Sequence, residues 1–349
     1  MSLTDKIKSH ISKIGYITIP EFMLLALSDP ESGYYQQKQP FGSAGDFITA
    51  PEISQIFGEI IASLIIHSWQ NLAEPNNFQI TEFGPGNASL MQDILRVANK
   101  FPKFKNSISV NLIETSARLT KIQTEKLANF SVNITHHKDF SKLQDKQHFI
   151  IANEFFDALP ISQFKYIDNK WQEIFIGLDN KDQFQYINLG AESDKSAIIS
   201  QFINNPKEND IFEFSANSLC IINDLASNIK QQNSKALIID YGYLEQSRIN
   251  SIQALQNHQH KNIFHDIGNC DITSHVNFAS FIEEIKSHKL NYSYTSQREF
   301  LINFGIKQRQ VQIIKNANLK QKEKITKATN RLISKNQMGD LFKILLIES

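Results

Sequence analysis

One stretch constrains the fold more than any other: Gln79-Ile-Thr-Glu-Phe-Gly-Pro-Gly-Asn-Ala-Ser-Leu-Met91. An apolar strand, Phe78 to Phe83, runs into the turn Gly84-Pro85-Gly86. A helix follows, with Leu90, Ile94, Leu95 and Val97 at helical spacing. Glycines let the backbone approach a ligand that any Cβ would push away, and a helix N-terminus adds unpaired N–H groups and the positive end of a dipole. A polar ligand is expected there, although a two-glycine turn also serves as a plain strand-to-helix connection.

The neighbouring residues narrow the choice. A dinucleotide fingerprint asks for G-x-G-x-x-G/A, and the sixth place counted from Gly84 is Ser89. Glu82, at the mouth of the turn, would repel a pyrophosphate. The same carboxylate suits a cationic amino-acid head, so the ammonium and sulfonium of S-adenosylmethionine (SAM) fit better than NAD.

Composition sets outer limits. With 349 residues the chain can form one large domain with insertions or two domains. Lys+Arg 36 against Asp+Glu 36 leaves no global basic field to recommend nucleic acid. Cys220 and Cys270 lack C-x-x-C spacing and suit a reducing compartment. Residues 1–15 show no signal or transit pattern, and apolar runs such as 60–66 fall short of the ~20 residues that span a bilayer. These features place the chain in the cytoplasm, without membrane insertion.

In chain order, residues 3–14 and 20–28 have helical periodicity, and 40–52 form a loop dense in glycine and proline. A long helix is expected from Pro51 to Trp69. Strands are expected at 107–113, 132–135, 148–152, 235–241, 291–295 and 342–347, with helices near 195–204, 276–285 and 317–335. Glu114, at the tip of the second strand, stands where nucleotide folds hold ribose hydroxyls. Asp139 and Phe140 occupy the usual adenine position. Asn153-Glu154-Phe-Phe-Asp157 follows the fourth strand at the ligand edge of the sheet. Residues 162–232 alternate like hairpins, which suggests an insertion forming a substrate wall. His258, His260, His265 and His275 lack zinc-like spacing, so no metal is expected.

Several segments together resemble the MidA family of SAM-dependent methyltransferases, whose mitochondrial members are arginine methyltransferases needed for respiratory complex I assembly. They are Tyr34-Tyr35, the run from Gly45 to Gly58, Glu82-Phe-Gly-Pro-Gly86, Ile113-Glu-Thr-Ser116, Ala152-Asn-Glu-Phe-Phe-Asp-Ala-Leu-Pro160, Ile239-Asp-Tyr-Gly242, Asp271-Ile-Thr-Ser-His-Val276 and Met338-Gly-Asp-Leu-Phe-Lys343. Where the family's turn continues Arg-Gly-Thr, this chain reads Asn87-Ala88-Ser89, which adds a methyl at the helix start.

The resemblance implies an α/β, class I methyltransferase fold: a Rossmann-like seven-stranded sheet with an N-terminal helical lid and an inserted α+β segment. The expected divisions are 1–77 (helices and lid loop), 78–160 (first part of the sheet), 161–234 (insertion) and 235–349 (second part of the sheet). SAM is expected at Glu82, Gly84, Pro85, Gly86, Glu114, Asp139, Phe140 and Asn153. Glu154 and Asp157, with Asp46 and Glu52 from the lid, are the acids expected to hold an acceptor guanidinium. The acceptor implied is an arginine on a complex I subunit. The alternative is a SAM-binding assembly partner with little or no catalysis.

Overall fold

The computed structural model describes residues 1–37, 49–143, 145–190, 193–244, 248 and 250–349. Seven strands make the main sheet: β1 (Phe78–Phe83), β2 (Ile108–Ile113), β3 (Asn133–His137), β4 (His148–Asn153), β5 (Lys235–Tyr243), β6 (Asn291–Ser296) and β7 (Phe342–Glu348). Their order is β3-β2-β1-β4-β5-β7-β6, and the short strand Val276–Asn277 lies beside the end of β5. Every neighbouring pair from β3 to β5 is parallel, while β7 runs antiparallel to both β5 and β6. This is the class I methyltransferase sheet that the motifs implied.

Parallel strands are covered on both faces, so their sequences read as near-continuous apolar runs. Phe149, Ile150, Ile151 and Ala152 of β4, and Ala236 to Ile239 of β5, are all buried. Helices Gln55–Asn71 and Ser89–Ala98 cover one face and contribute Phe57, Ile61, Ile65, Met91 and Ile94. Helices Ala216–Gln232 and Phe278–Ser287 cover the other through Ile222, Leu225, Ile229, Phe281 and Ile285.

Within 161–234 the chain serves two layers. Strands Ser162–Ile167, Lys170–Leu178, Phe184–Gly190 and Ile211–Phe214 build a second sheet, whereas helix Ala216–Gln232 packs on the main one. The N-terminal segment joins the second layer: Ile17–Thr18 pairs with Lys170–Leu178, placing Ile17 opposite Ile176. Helices Leu3–Ile14 and Ile19–Ser28 then share a core with Ile174, Ile176 and Ile272. The helix expected without interruption from Pro51 is instead broken. Ser54 is extended (φ −156°), and its Oγ accepts from Ile56 N at 3.3 Å, so Ala50–Ile53 forms a separate turn before Gln55–Asn71.

Candidate functional site

The order of the sheet dictates where a ligand can enter. From β1 the chain moves outward to β2 and β3, then returns to β4 on the other side, so the crevice lies beyond the carboxyl ends of β1 and β4. Gly84 leaves β1 there, and Glu154 leaves β4. A cleft of about 540 Å³ occupies the crevice. Its walls include Gly84, Gly86, Glu114, Asp139, Phe140 and Glu154 from the sheet edge, and Met23, Leu24, Leu27 and Tyr35 from the N-terminal segment. A small adjoining recess is lined by Glu82, Pro85, Asn153 and Glu154, with Thr49 and Pro51.

Gly84 is required twice over. Its φ is +59°, and a Cβ there would sit 2.9 Å from Phe155 Cδ2. Gly86 also has positive φ, as does Ala88 at +58°. Ala88 holds a left-handed conformation that costs an L-residue on the order of 1 kcal/mol. Its neighbours brace the turn. Asn87 Nδ2 donates to Glu52 Oε1 at 2.6 Å, Ser89 N and Oγ donate to Asn87 Oδ1, and Lys126 Nζ donates to Ser89 Oγ at 2.8 Å.

Three carboxylates set the electrostatics. Glu82 is 3% exposed, and among the described residues its Oε2 has no hydrogen-bond partner. Burial raises its pKa to about 8 despite the positive charge of Lys126. Glu114 is held differently: Ser116 N donates to Oε1 at 2.8 Å and Gln123 Nε2 to Oε2 at 3.0 Å. Burial still pushes it upward, and those donors oppose the shift. Glu154, at φ +52°, accepts from Ala50 N at 3.2 Å and Asn153 Nδ2 at 3.3 Å through Oε1. Its pKa is raised to about 8, first by burial and then by the neighbouring charge of Asp157.

Behind Glu154 lies a second layer of acid. Asp157 and Asp240 are both buried, and burial raises both. Asp240 accepts the N–H groups of Phe156 at 3.0 Å, Asp157 at 3.2 Å and Tyr241 at 2.9 Å. The buried Tyr241 hydroxyl sits beside Asp157 without a partner of good geometry among the described residues. Tyr35 reaches in from the N-terminal segment, its hydroxyl donating to Asp271 Oδ1 at 3.2 Å.

The structure therefore brings together Glu82, Gly84, Pro85, Gly86, Glu114, Asp139, Phe140, Asn153 and Glu154 around the cleft and its recess. Asp157 stands behind the wall, not on it. Glu52 accepts from Thr49 N at 3.2 Å as well as from Asn87, so it ties the base of the expected lid to the glycine turn. Asp46, with most of that loop, lies outside the described residues. Asp139 is on the rim and accepts from Ser141 N at 2.9 Å, while the Phe140 ring packs against Phe83 and His148. Sequence reasoning missed Gln123 and gave no role to Phe155. It also left unexplained why helix Ile19–Ser28 is apolar nearly all round. One side of that helix fills the second core, and Met23, Leu24 and Leu27 also line the cleft.

The chemistry of these groups fits SAM. The cradle at Gly84 excludes any Cβ, an orphaned buried carboxylate oxygen calls for a cation, and Glu114 presents a carboxylate to the cleft. Among the described residues no group of three or more His, Cys, Asp or Glu is arranged to hold a metal ion, and no helix is long and apolar enough to cross a membrane.

Known proteins agree with this reading. A family model described as "Putative S-adenosyl-L-methionine-dependent methyltransferase" matches residues 60–295. Mitochondrial protein arginine methyltransferase NDUFAF7 of Xenopus laevis is 31% identical over 371 residues, covering 99% of this chain and 84% of its own. The Homo sapiens protein of that name is 28% identical over 362 residues, covering 97% and 81%. The crystal structure of a Burkholderia thailandensis protein bound to S-adenosyl-homocysteine superposes with a TM-score of 0.84 at 21% identity, over 99% of this chain and 92% of that one. The cytoplasmic placement expected from the N-terminal sequence is overturned by these relatives, which are mitochondrial in both animals. The chain belongs to this family of SAM-dependent methyltransferases.

Proposed function

We propose that this methyltransferase modifies an arginine side chain of a protein, and that the protein is a subunit of respiratory complex I. The named activity of the relatives supports the residue type. The observation that carries the reading is Glu154: a half-buried carboxylate leaving β4 at the cleft, backed by the buried Asp157, its pKa raised to about 8. Ionised, such a group gains most from a cation beside it.

SAM supplies an electrophilic methyl group when bound; the protein's own residues do the rest. Glu82 receives the cationic amino-acid head of the cofactor, and Glu114 receives the ribose hydroxyls. Glu154 takes the acceptor guanidinium, whose planar fork of donors matches a carboxylate where the ammonium of lysine would not. Docking of that cation expels the proton Glu154 holds near neutral pH. The nitrogen that gains the methyl must give up one proton, and the ionised Glu154 carboxylate beside it is the group placed to accept it. Asp157 adds negative charge behind Glu154, and Phe155 with the N-terminal helix keeps water out.

The test uses radiolabelled SAM with extract from cells lacking the protein. Addition of the purified enzyme should label one or a few polypeptides, and acid hydrolysis of the labelled band should yield methylarginine. Label recovered on lysine, histidine or a small molecule would contradict the proposal.

A further inference from the structure

Gln123 lies at the middle of the buried stripe Leu119–Gln123–Leu127 of helix Ala117–Leu127, where an apolar residue would be ordinary. It is fully buried, and all of its hydrogen-bonding groups are engaged. Nε2 donates to the Gly86 carbonyl at 2.8 Å and to Glu114 Oε2 at 3.0 Å, and Oε1 faces His136 Nε2 at 3.0 Å. With both amide protons spent on carbonyl and carboxylate, Oε1 must accept, so His136 carries its proton on Nε2. That contact stops the amide from flipping.

One side chain therefore links three parts of the cradle: the glycine turn after β1, the acid after β2, and β3. The consequence for Glu114 is geometric. A carboxylate has about four lone-pair directions. Ser116 N takes one on Oε1 and Gln123 takes one on Oε2. The Thr115 backbone also bears on the carboxylate, so of the four directions at least one stays open, and Glu114 lines the cleft. An acceptor direction held at a fixed orientation is the complement of a sugar hydroxyl.

We propose that Gln123 is a positioning residue that gives the cofactor site its selectivity for an intact ribose, by locking Glu114 to the glycine turn. It acts through Glu114 without needing to touch the cofactor. The proposal concerns cofactor binding alone and is tested without any acceptor protein, so its failure would leave the arginine reading where it stands.

Calorimetric titration measures the affinity of S-adenosylhomocysteine and of its 2′-deoxy analogue. The wild-type protein should prefer the intact ribose by roughly 30-fold, the scale of a hydrogen bond to a charged group. In Gln123→Leu that ratio should fall below about fivefold, because Glu114 is free to turn, while loss of general packing would weaken both ligands equally. An unchanged ratio, with or without weaker binding, would overturn the proposal. Should Gln123→Leu fail to fold, His136→Leu gives the same decision: the partner that prevents the amide flip is removed from a half-buried position, and the ratio should drop at least about threefold. A ratio in His136→Leu equal to wild type would overturn it.

Discussion

The two ends of the cleft treat their carboxylates in opposite ways. At the end proposed for the ribose, Glu114 has a donor on each oxygen, supplied by Ser116 and Gln123. At the cationic end, Glu82 has an oxygen with no partner among the described residues, and Glu154 sits in front of two further buried acids. Burial raises the pKa of both Glu82 and Glu154 to about 8. Neutral hydroxyls need an acceptor already held in place by neutral donors. Cations need an acid left short of counter-charge, so that the guest supplies what the protein withholds. On the assignments proposed above, this difference would let one sheet edge bind a neutral diol and two cationic groups in the cleft of about 540 Å³ and its adjoining recess.

The comparison breaks most completely if the shared turn is blocked. Gly84→Val places a β-branched residue at φ +59° and drives its Cβ toward Phe155. SAM affinity should fall at least about 100-fold in calorimetric titration, with far-UV circular dichroism near native. Retained affinity would mean that the turn is only a connection.

Glu82→Gln sharpens the contrast. It keeps the shape and removes the charge, so SAM should bind roughly 10- to 100-fold more weakly, the worth of a charge-assisted hydrogen bond. The same residue predicts a pH dependence. Its folded pKa lies above the ordinary carboxylate value, so the ligand-free protein binds a proton that the complex must release. SAM affinity should rise by up to about tenfold per unit between pH 6 and 7.5, and the slope should flatten in Glu82→Gln. Stability without ligand runs the other way. The folded state holds more protons than the unfolded one between about 4.5 and 8, so raised pKa values at Glu82 and Glu154 make the ligand-free protein lose stability as pH climbs through that window. A ligand-free melting temperature that rises with pH there would count against both shifts.

The smallest effect concerns Ala88. Relief of its left-handed strain in Ala88→Gly should raise stability by up to about 1 kcal/mol in denaturant unfolding. A loss of stability would mean that the methyl group contributes packing that outweighs the strain.

Much of the fold was legible because the physics is local. The apolar run Phe149–Ala152, too short for a helix and bounded by polar residues, reads as a strand buried on both faces, and the glycine turn after Phe83 orders the rest. The break at Ser54 was not legible, since the apolar residues on either side of it stay in helical phase. Glu114 could be placed from its position at a strand tip. Gln123 could not, because its partners come from the turn and from β3, which only the folded sheet brings together. A glutamine where the stripe Leu119–Leu127 calls for an apolar residue was the available signal. The union of the N-terminal helices with the second sheet rests on the pairing of Ile17 with Ile176, a contact that no local pattern announces.

The most direct test of the contrast is Glu154→Gln, assayed for both SAM binding and methyl transfer. Glu154 leaves β4 at the acceptor end, away from the ribose acid, and the Gln variant keeps its shape while removing the charge that holds a guanidinium. SAM affinity should stay within a few-fold of wild type, while transfer to the labelled protein band slows at least about 100-fold, roughly 2.7 kcal/mol of transition-state stabilisation. Transfer at the wild-type rate would contradict the assignment of the cationic end to Glu154 and leave that residue the structural task of capping the helix that starts at Ala50.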